Sequence, residues 1–229
     1  MPHWGAEMTY LDSRVIGLTL CATLLLPGAA QAEGVFAQLY APRPPAGLAF
    51  VRLLNPAPEA LTVQIDKSAS QSVGGGSIAS TYAIVSGDKP FSVSINGKPA
   101  GQWQVAPGSF NSLVAQGTNY SLQADLTGSE NALKAELRFY NLASDCTKGK
   151  LVVANNGPTL FADVPGQSNV ARAINPVNAT LSAGCGDVLA QAWPLPQLQP
   201  GDHYSLFLTG SAAKPVLRGE LSKTDVYTK

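Results

Sequence analysis

The sequence predicts an all-β protein of two tandem β-sandwich modules that arose by internal duplication, preceded by a signal peptide. Short apolar stretches alternate with turn residues, and no window of 12 residues or more has the periodicity of an amphipathic helix. Two pieces of sequence also recur in the same order. Of the 229 residues, 22 are glycine and 17 proline, and only 13% are charged, a composition typical of strands joined by tight turns.

The recurring pieces are a closing strand and an opening strand. Residues 107–117 form a Pro-Gly turn, an apolar stretch and a final glycine, and they return as 200–210, an offset of 93 residues from Pro107 to Pro200. Residues 51–55 return as 137–141, an offset of 86 residues, with arginine second and asparagine last in both copies. Two echoes in one order predict a duplicated unit.

A tryptophan, Trp103 or Trp193, precedes the Pro-Gly turn of each copy. The echoes and tryptophans together place the first β-sandwich module at 33–120 and the second at 131–229. The polar stretch between them predicts a linker at 121–130.

The first 32 residues are predicted to be a signal peptide rather than part of the fold. An apolar run, 15–30, follows Arg14 and leads into an Ala-Gln-Ala cleavage site at 30–32. A start at Met8 instead of Met1 would give a signal of ordinary length. We expect an exported, periplasmic protein with no transmembrane segment after cleavage.

The first module is expected to contain six strands. A Pro-rich entry segment, 41–47, excludes helix, and Asn96-Gly97 predicts a tight hairpin turn. The Gly-rich stretch 68–77 is interpreted as a flexible loop, because no helix follows it to complete a phosphate site. The predicted strands alternate or end at turn residues and cover 48–55, 61–65, 78–85, 91–95, 98–105 and 110–115.

The second module follows a polar boundary region, 118–131. Its strands are short and separated by Gly, Pro, Asn and Asp, a spacing that indicates a sandwich or barrel. They are predicted at 133–141, 151–153, 159–164, 170–174, 179–181, 188–193, 203–208 and 216–221.

The cysteines predict one disulfide. Cys21 is lost with the signal, which leaves Cys146 and Cys185 in an exported chain. A metal site or a catalytic thiol is the alternative, and both require histidine or further ligands nearby. A disulfide that closes a loop of about 40 residues adds about 3–4 kcal/mol to the free energy of unfolding in the chain-entropy model.

The mature chain offers little for catalysis. Of the two histidines, His3 leaves with the signal, and His203 is adjacent to Asp202 on a predicted strand, so their side chains point to opposite faces. No Gly-x-Ser-x-Gly motif occurs and the carboxylates are scattered. We therefore expect no enzyme activity, no metal site and no cofactor. The zero net charge without a basic run argues against a nucleic-acid partner.

Four residues are candidate contacts for a carbohydrate or a partner. Trp103 and Trp193 could stack on sugar rings, but their repetition favours a core position in each sandwich. Arg52 and Arg138 occupy equivalent places in the repeat. They are either strand arginines that are solvated or internally paired, or a repeated anion contact.

Several residues resemble those of a known family. The amino-terminal signature comprises Leu39-Tyr40, Pro42, Pro45, Gly47, residues 49–52 and Asn55. The second half adds Leu137-Arg138, Asn141-Leu142, Arg172, residues 174–177 and the strand 201–210. Over roughly residues 35 to 215 the chain resembles the AlgF family of alginate biosynthesis proteins. The resemblance makes Arg172 a further candidate contact.

The resemblance implies a periplasmic accessory protein for O-acetylation of an exopolysaccharide, alginate or a polymer such as cellulose. Our first hypothesis is a non-enzymatic adaptor that binds the periplasmic polysaccharide O-acetyltransferases. The second is a carbohydrate-binding module that presents the polymer, alginate or cellulose, to the transferase. The third is a protein that itself carries or transfers acetyl through a serine or His203.

Overall fold

The computed structural model describes residues 46–128, 131 and 133–227, and all of them belong to one compact unit. The predicted signal peptide and the entry segment up to residue 45 lie outside this part. Within it, regular secondary structure consists of β-strands alone, which confirms the all-β class. None of its segments is a helix with the length and hydropathy to cross a membrane.

The first half of the described chain contains eight strands. They are β1 (Leu48–Leu54), β2 (Leu61–Ile65), β3 (Gln71–Val73), β4 (Ala83–Ser86), β5 (Phe91–Ile95), β6 (Lys98–Trp103), β7 (Phe110–Gln116) and β8 (Asn119–Ala124).

The second half contains nine strands. They are β9 (Ala135–Asn141), β10 (Lys148–Val153), β11 (Thr159–Pro165), β12 (Ser168–Ile174), β13 (Thr180–Cys185), β14 (Val188–Leu189), β15 (Trp193–Pro194), β16 (His203–Gly210) and β17 (Pro215–Leu221).

Each half forms two sheets, and the strand order is the same in both halves. The inner sheets, which are the sheet of each half that contacts the other half, run β4-β1-β7-β8 and β12-β9-β16-β17. The outer sheets run β3-β2-β5-β6 and β11-β10-β13-β14, with β15 also paired to β13. In each inner sheet the two central strands, β1 with β7 and β9 with β16, are parallel. The shared topology supports the predicted duplication.

Each half buries its own apolar core between its inner and outer sheet. Strand alternation sends every second side chain of β1, including Ala49, Val51 and Leu53, into the first core. Ala135, Leu137 and Phe139 of β9 enter the second core in the same way. The intervening side chains of both strands point away from these cores, and most are buried as well.

The asparagine at the end of each opening-strand echo has a structural function. Asn55 Nδ2 donates to the carbonyl oxygens of Glu59, 2.7 Å away, and Val73, 3.0 Å away. Asn141 Nδ2 donates to the carbonyl oxygens of Cys146 and Val164 at 2.9 and 3.0 Å. In both halves the amide therefore ties the end of the inner strand to an edge strand of the outer sheet.

The two tryptophans lie over glycines. A Cβ added to Gly101 would come 2.8 Å from the Trp103 ring, and one added to Gly219 would come 2.8 Å from Trp193 Nε1. Both rings are half-buried against the core of their own half, and Trp193 Nε1 donates to Tyr204 Oη at 3.0 Å. This packing supports the architectural interpretation of the repeated tryptophans.

Most predicted strands are present, and the differences lie at sheet edges. The hairpin turn is confirmed, because Asn96 and Gly97 both have positive φ, 51° and 73°. The expected flexible loop 68–77 contains the edge strand β3, which a single buried apolar residue, Val73, anchors. The predicted strand 78–85 is reduced to β4, and residues 188–193 are divided between β14 and β15.

The predicted linker begins inside a strand. β8 continues to Ala124 and pairs with β7, so the first half extends four residues past the boundary expected at residue 120. Only Tyr120 and Leu122 of β8 pack against the core. Two apolar residues in an otherwise polar edge strand give too short an alternation to predict a strand from the sequence.

The disulfide between Cys146 and Cys185 is present, with the two Cα atoms 5.7 Å apart. Cys146 follows β9 of the inner sheet and Cys185 ends β13 of the outer sheet. The bond therefore links the two layers of the second sandwich.

We expect the double variant Cys146→Ala/Cys185→Ala to lose about 3–4 kcal/mol of unfolding free energy, because the unfolded chain gains the freedom of an open loop. Urea unfolding of the oxidised wild type and the variant measures the difference. Wild-type protein under strong reductant is the control and should approach the variant. Equal stability of all three samples would contradict this account.

Candidate functional site: the contact between the two halves

The two inner sheets face each other through the side chains that do not enter either core. Leu54 and Val114 of the first half meet Tyr140 and Phe207 of the second, and the rings of the last two stack at 5.1 Å between centroids. The remaining members of this apolar cluster are Ile78, Ala79 and Leu142. The contact has an apolar end here and a polar centre next to it.

Arg52 occupies the polar centre and is only 1% exposed. Its Nε donates to Ser112 Oγ at 3.0 Å and its Nη1 to Ser222 Oγ at 3.1 Å. Its Nη2 donates to Tyr140 Oη at 2.7 Å and to Ser205 Oγ at 3.0 Å. One acceptor lies in the first half and three lie in the second, so the guanidinium bridges the two inner sheets.

Asp125 balances this charge from the segment after β8, and its side chain is fully buried. Its Oδ2 accepts hydrogen bonds from Tyr82 Oη at 2.6 Å and Ser112 Oγ at 2.8 Å. Its Oδ1 accepts from Tyr140 Oη at 2.7 Å, and Arg52 Nε lies 4.0 Å from Oδ2. The carboxylate therefore also joins groups from both halves.

The two tyrosines act as neutral donors to this carboxylate. Burial raises the pKa of Tyr82 and of Tyr140 above the usual phenol range, so both keep their protons. Burial alone would lower the pKa of Arg52, but Tyr140, Tyr82 and Asp125 raise it overall. Arg52 is therefore charged, and its Cζ lies 4.5 Å from the ring centroid of Tyr82 in a cation–π contact.

Arg138, the repeat equivalent of Arg52, lies in the same contact and is 3% exposed. Its Nη1 donates to Tyr82 Oη at 3.1 Å, across the two halves. Its Nη2 donates to Glu136 Oε1 at 2.6 Å and its Nε to the carbonyl oxygen of Leu126 at 2.8 Å. The two arginines thus share Tyr82 as a common neighbour.

Glu136 connects the buried network to the surface. Its Oε1 lies 3.2 Å from Nδ1 of His203, whose side chain is 53% exposed, and its Oε2 accepts from the Gly128 N–H at 2.8 Å. Burial alone would raise the pKa of Glu136, but the His203 and Gly128 hydrogen bonds and the Arg138 charge lower it overall. Glu136 is therefore ionised at neutral pH and pairs with Arg138.

Further contacts join the halves beside this network. Glu220 of β17 accepts hydrogen bonds from Ser77 Oγ at 2.6 Å and from the Ile78 N–H. The backbone of Tyr82 pairs with residues 223–225 in a parallel bridge at Thr224. Asn169 bridges the carbonyl oxygen of Ala124 and the N–H of Leu126. The two inner sheets are thus fixed to one another near both pairs of edges.

An open cleft of about 250 Å³, here called the lateral cleft, lies beside the apolar end of the contact. Loops of the first half form one wall, and the end of β16 and the start of β17 form the other. The lining residues are Asn55, Pro56, Ala57, Pro58, Gly74, Gly75, Ser77, Ile78, Thr209, Gly210, Val216 and Arg218.

The structure separates the predicted contact residues. Arg52 and Arg138 meet in the buried contact, where their guanidinium groups bind within the chain instead of facing a ligand. Trp103 and Trp193 lie in the two different sandwiches. Arg172 is exposed on β12, an edge strand of the second inner sheet.

Sequence reasoning missed the partners of the two arginines, Asp125 above all. One available signal was the serine shared by the two closing-strand echoes. Ser112 lies beside Arg52 in the β1–β7 register and Ser205 beside Arg138 in the β9–β16 register. A repeated Arg–Ser neighbourhood indicates a polar contact, but its position between the halves required the structure.

The groups with potential for acyl transfer are engaged in these contacts. Ser112 and Ser205 accept from Arg52, and Ser205 Oγ also lies 3.0 Å from Ser222 Oγ. In the ranges that the structure covers, no cluster of three or more His, Cys, Asp or Glu side chains could hold a metal ion. The arrangement is suited to holding the two halves in one relative position.

Comparison with known proteins gives the family. The family model described as "Alginate O-acetyl transferase AlgF" matches residues 21–192 of the chain. The chain belongs to the AlgF family. This confirms the resemblance drawn from the Leu-Tyr-x-Pro signature and the Arg-x-Ile-Asn-Pro-Val stretch.

Relatives within the AlgF family match along most of the chain. The alginate biosynthesis protein AlgF of Pseudomonas putida is 26% identical over 91% of this chain and 96% of its own. Its Pseudomonas aeruginosa counterpart is 29% identical over 85% of this chain and 88% of its own. A solved structure of the C-terminal domain of AlgF from P. aeruginosa matches 39% of this chain and 98% of that domain, with 29% identity and a TM-score of 0.34.

We expect Arg52→Met to lower the unfolding free energy by about 3–5 kcal/mol, because it leaves the Asp125 carboxylate buried without its cation. Urea unfolding measures the loss. The matched control is Arg172→Met, which removes an exposed arginine from the same pair of inner sheets and should change stability by less than about 0.5 kcal/mol. Similar losses in both variants would refute the role assigned to Arg52.

We expect acid to weaken the protein partly through Glu136. Because its pKa in the folded protein is lower than the unfolded value near 4.5, its stabilising contribution is complete above pH 4.5 and disappears as the pH falls through the lower, folded pKa. Unfolding free energies measured between pH 7 and pH 3 should fall less steeply for Glu136→Gln than for wild type. Parallel curves would contradict the assignment.

Proposed function

We propose that this protein is a non-catalytic periplasmic accessory protein in alginate biosynthesis. In this proposal it is required for O-acetylation of the polymer and binds the O-acetyltransferases that perform it. Membership of the AlgF family supports the pathway, since the family description names alginate O-acetyl transfer and both relatives are named alginate biosynthesis proteins.

One observation carries the adaptor part of the proposal: the buried network bonds the two sandwiches to each other within one compact unit, an arrangement that favours a fixed relative position. Arg52 alone bonds to residues of both halves, and Asp125 does the same from the segment after β8. An assembly protein benefits from such rigidity, because partners that bind different faces are then held at a constant separation with less ordering entropy lost on binding.

The positions of the reactive groups favour a non-catalytic role. The Glu136 carboxylate lies at Nδ1 of His203, as the carboxylate of a catalytic triad would, but among the described residues no serine hydroxyl bonds to the imidazole ring. The hydroxyls of Ser205 and Ser222 bond to each other and to Arg52 instead. An acyl-transfer site needs a hydroxyl within reach of a base and free to attack a carbonyl carbon. Here these hydroxyls are employed in fixing a buried charge.

Two features support a periplasmic location. The first 32 residues have the charge, apolar run and cleavage site of a signal peptide. The disulfide between Cys146 and Cys185 is of the kind that persists in oxidising compartments.

Genetic complementation tests the non-catalytic role. A strain lacking this protein should secrete polymer without acetyl esters, and the wild-type gene should restore them. His203→Gln should restore acetylation as fully as wild type, because the imidazole caps a buried carboxylate and transfers nothing. The measurement is the acetyl content of secreted polymer by proton NMR, with immunoblotting to confirm equal protein levels. Loss of acetyl groups in a stably produced His203→Gln protein would favour the acetyl-carrying hypothesis.

Direct binding tests the adaptor role. Purified mature protein should retain each partner O-acetyltransferase of the same bacterium in biolayer interferometry at micromolar concentration or below, the range of specific protein pairs. The double variant Cys146→Ala/Cys185→Ala is the control: where it is folded it should bind as wild type does, and where it is unfolded it should not bind. Absence of binding to every transferase, together with binding of the polymer itself, would replace the adaptor by the carbohydrate-binding hypothesis.

A further inference from the structure

We propose that the lateral cleft is a docking site for a peptide segment of a partner protein that presents an apolar side chain next to a carboxylate. The inference rests on the proposed adaptor function and names a surface through which it would act. It is drawn from the lining of the cleft, its charge and its position between the halves.

The walls of the cleft favour an apolar side chain. Pro56 and Pro58 line it from the loop after β1, Ile78 from the segment before β4, and Val216 from β17. Val216 is 43% exposed although it lies on an inner-sheet face, beside Thr209 in the β16–β17 register. Burying this exposed valine and the proline rings would favour binding through the hydrophobic effect.

The charge of the cleft favours a carboxylate. Arg218 is the one charged residue of the lining and its side chain is exposed. Among the described residues it takes part in no ion pair, whereas Glu220, two residues further along β17, is occupied by Ser77 and Ile78 of the first half. A free guanidinium beside an apolar wall is suited to a forked hydrogen bond with a carboxylate.

The backbone of the Gly-rich loop favours an extended peptide. Gly75 has a φ of +68° and open space where a side chain would stand. Its neighbour Gly74 is packed so closely that a Cβ would come 2.6 Å from the Cα of Ala60, which fixes the loop. A firmly held backbone without a side chain lets another main chain approach within hydrogen-bonding distance.

The same lining is unsuited to a sugar. No aromatic side chain is among the lining residues, so a pyranose ring would have no stacking surface. The polar side chains are already engaged: Asn55 bonds to Glu59 and Val73, and Ser77 bonds to Ala79 and Glu220. A sugar would need many such groups free to bind its hydroxyls, whereas one carboxylate needs only Arg218.

Two substitutions test the site, each with a matched control. Arg218→Glu reverses the charge of the cleft, and Lys98→Glu reverses an exposed lysine on β6, an edge strand of the first outer sheet. Val216→Asp places a charge in the cleft. Its control, Val188→Asp, places the same charge outside the cleft, at a valine of similar exposure, 45%, on an outer sheet.

The first measurement is the affinity of each variant for the O-acetyltransferase that wild-type protein binds. We expect both cleft variants to weaken binding at least tenfold, through faster dissociation, and both controls to stay within about twofold of wild type. Unchanged binding of Arg218→Glu and Val216→Asp would overturn the docking site and leave the adaptor function intact.

The second measurement does not require a transferase. A display library of random eight-residue peptides is selected on the mature protein and counter-selected on Arg218→Glu. Enrichment of peptides with Asp or Glu next to an apolar residue supports the docking site, whether or not a transferase binds. Failure of every transferase to bind would contradict the adaptor function and leave the docking site standing. No enrichment, or displacement of the selected peptides by uronate oligosaccharides at equal concentration, would overturn the peptide-docking proposal.

Discussion

The structure depends on the compensation of two arginine charges in the contact between the inner sheets. A guanidinium removed from water costs several kcal/mol unless charges and hydrogen bonds replace its hydration. Arg52 and Arg138 receive this compensation from Asp125, Glu136, two tyrosine hydroxyls and three serine hydroxyls. Because these groups come from both halves, the charges are satisfied only when the two sandwiches are in register.

This constraint distinguishes the contact from an ordinary apolar interface. The apolar cluster around Phe207 and Leu54 would tolerate small displacements with little loss of buried area. The polar centre would not tolerate them. A shift of a few ångströms would separate Tyr140 and Ser205 from Arg52 and leave the buried guanidinium without these hydrogen-bond acceptors. The lateral cleft owes its shape to this fixed register, since each half contributes one wall.

The repeat also accounts for what the two halves share and where they differ. The asparagine ties occur in both, because each sandwich must close its own two sheets. The tryptophan packing differs: Trp103 lies against Gly101 of its own strand, whereas Trp193 of β15 lies against Gly219 of the inner sheet. Arg52 and Arg138 have equivalent positions but different partners. The residues around the two arginines differ, because the position that holds Glu136 in β9 holds Phe50 in β1. Arg138 therefore pairs with a carboxylate of its own strand, whereas Arg52 bridges the halves through four hydroxyls.

The sequence alone determined the all-β class, most strands, the turn at Asn96-Gly97, the disulfide pair and the family, because these follow from local alternation, turn chemistry, cysteine count and motifs. Only the tertiary structure decided that both faces of β1 and β9 are buried and that Arg52 is internal. Asp125 lay in a polar stretch assigned to a linker, and Ser222 lies 170 positions from Arg52 along the chain. No periodicity encodes such a pairing, since it arises when two separately formed sandwiches pack face to face.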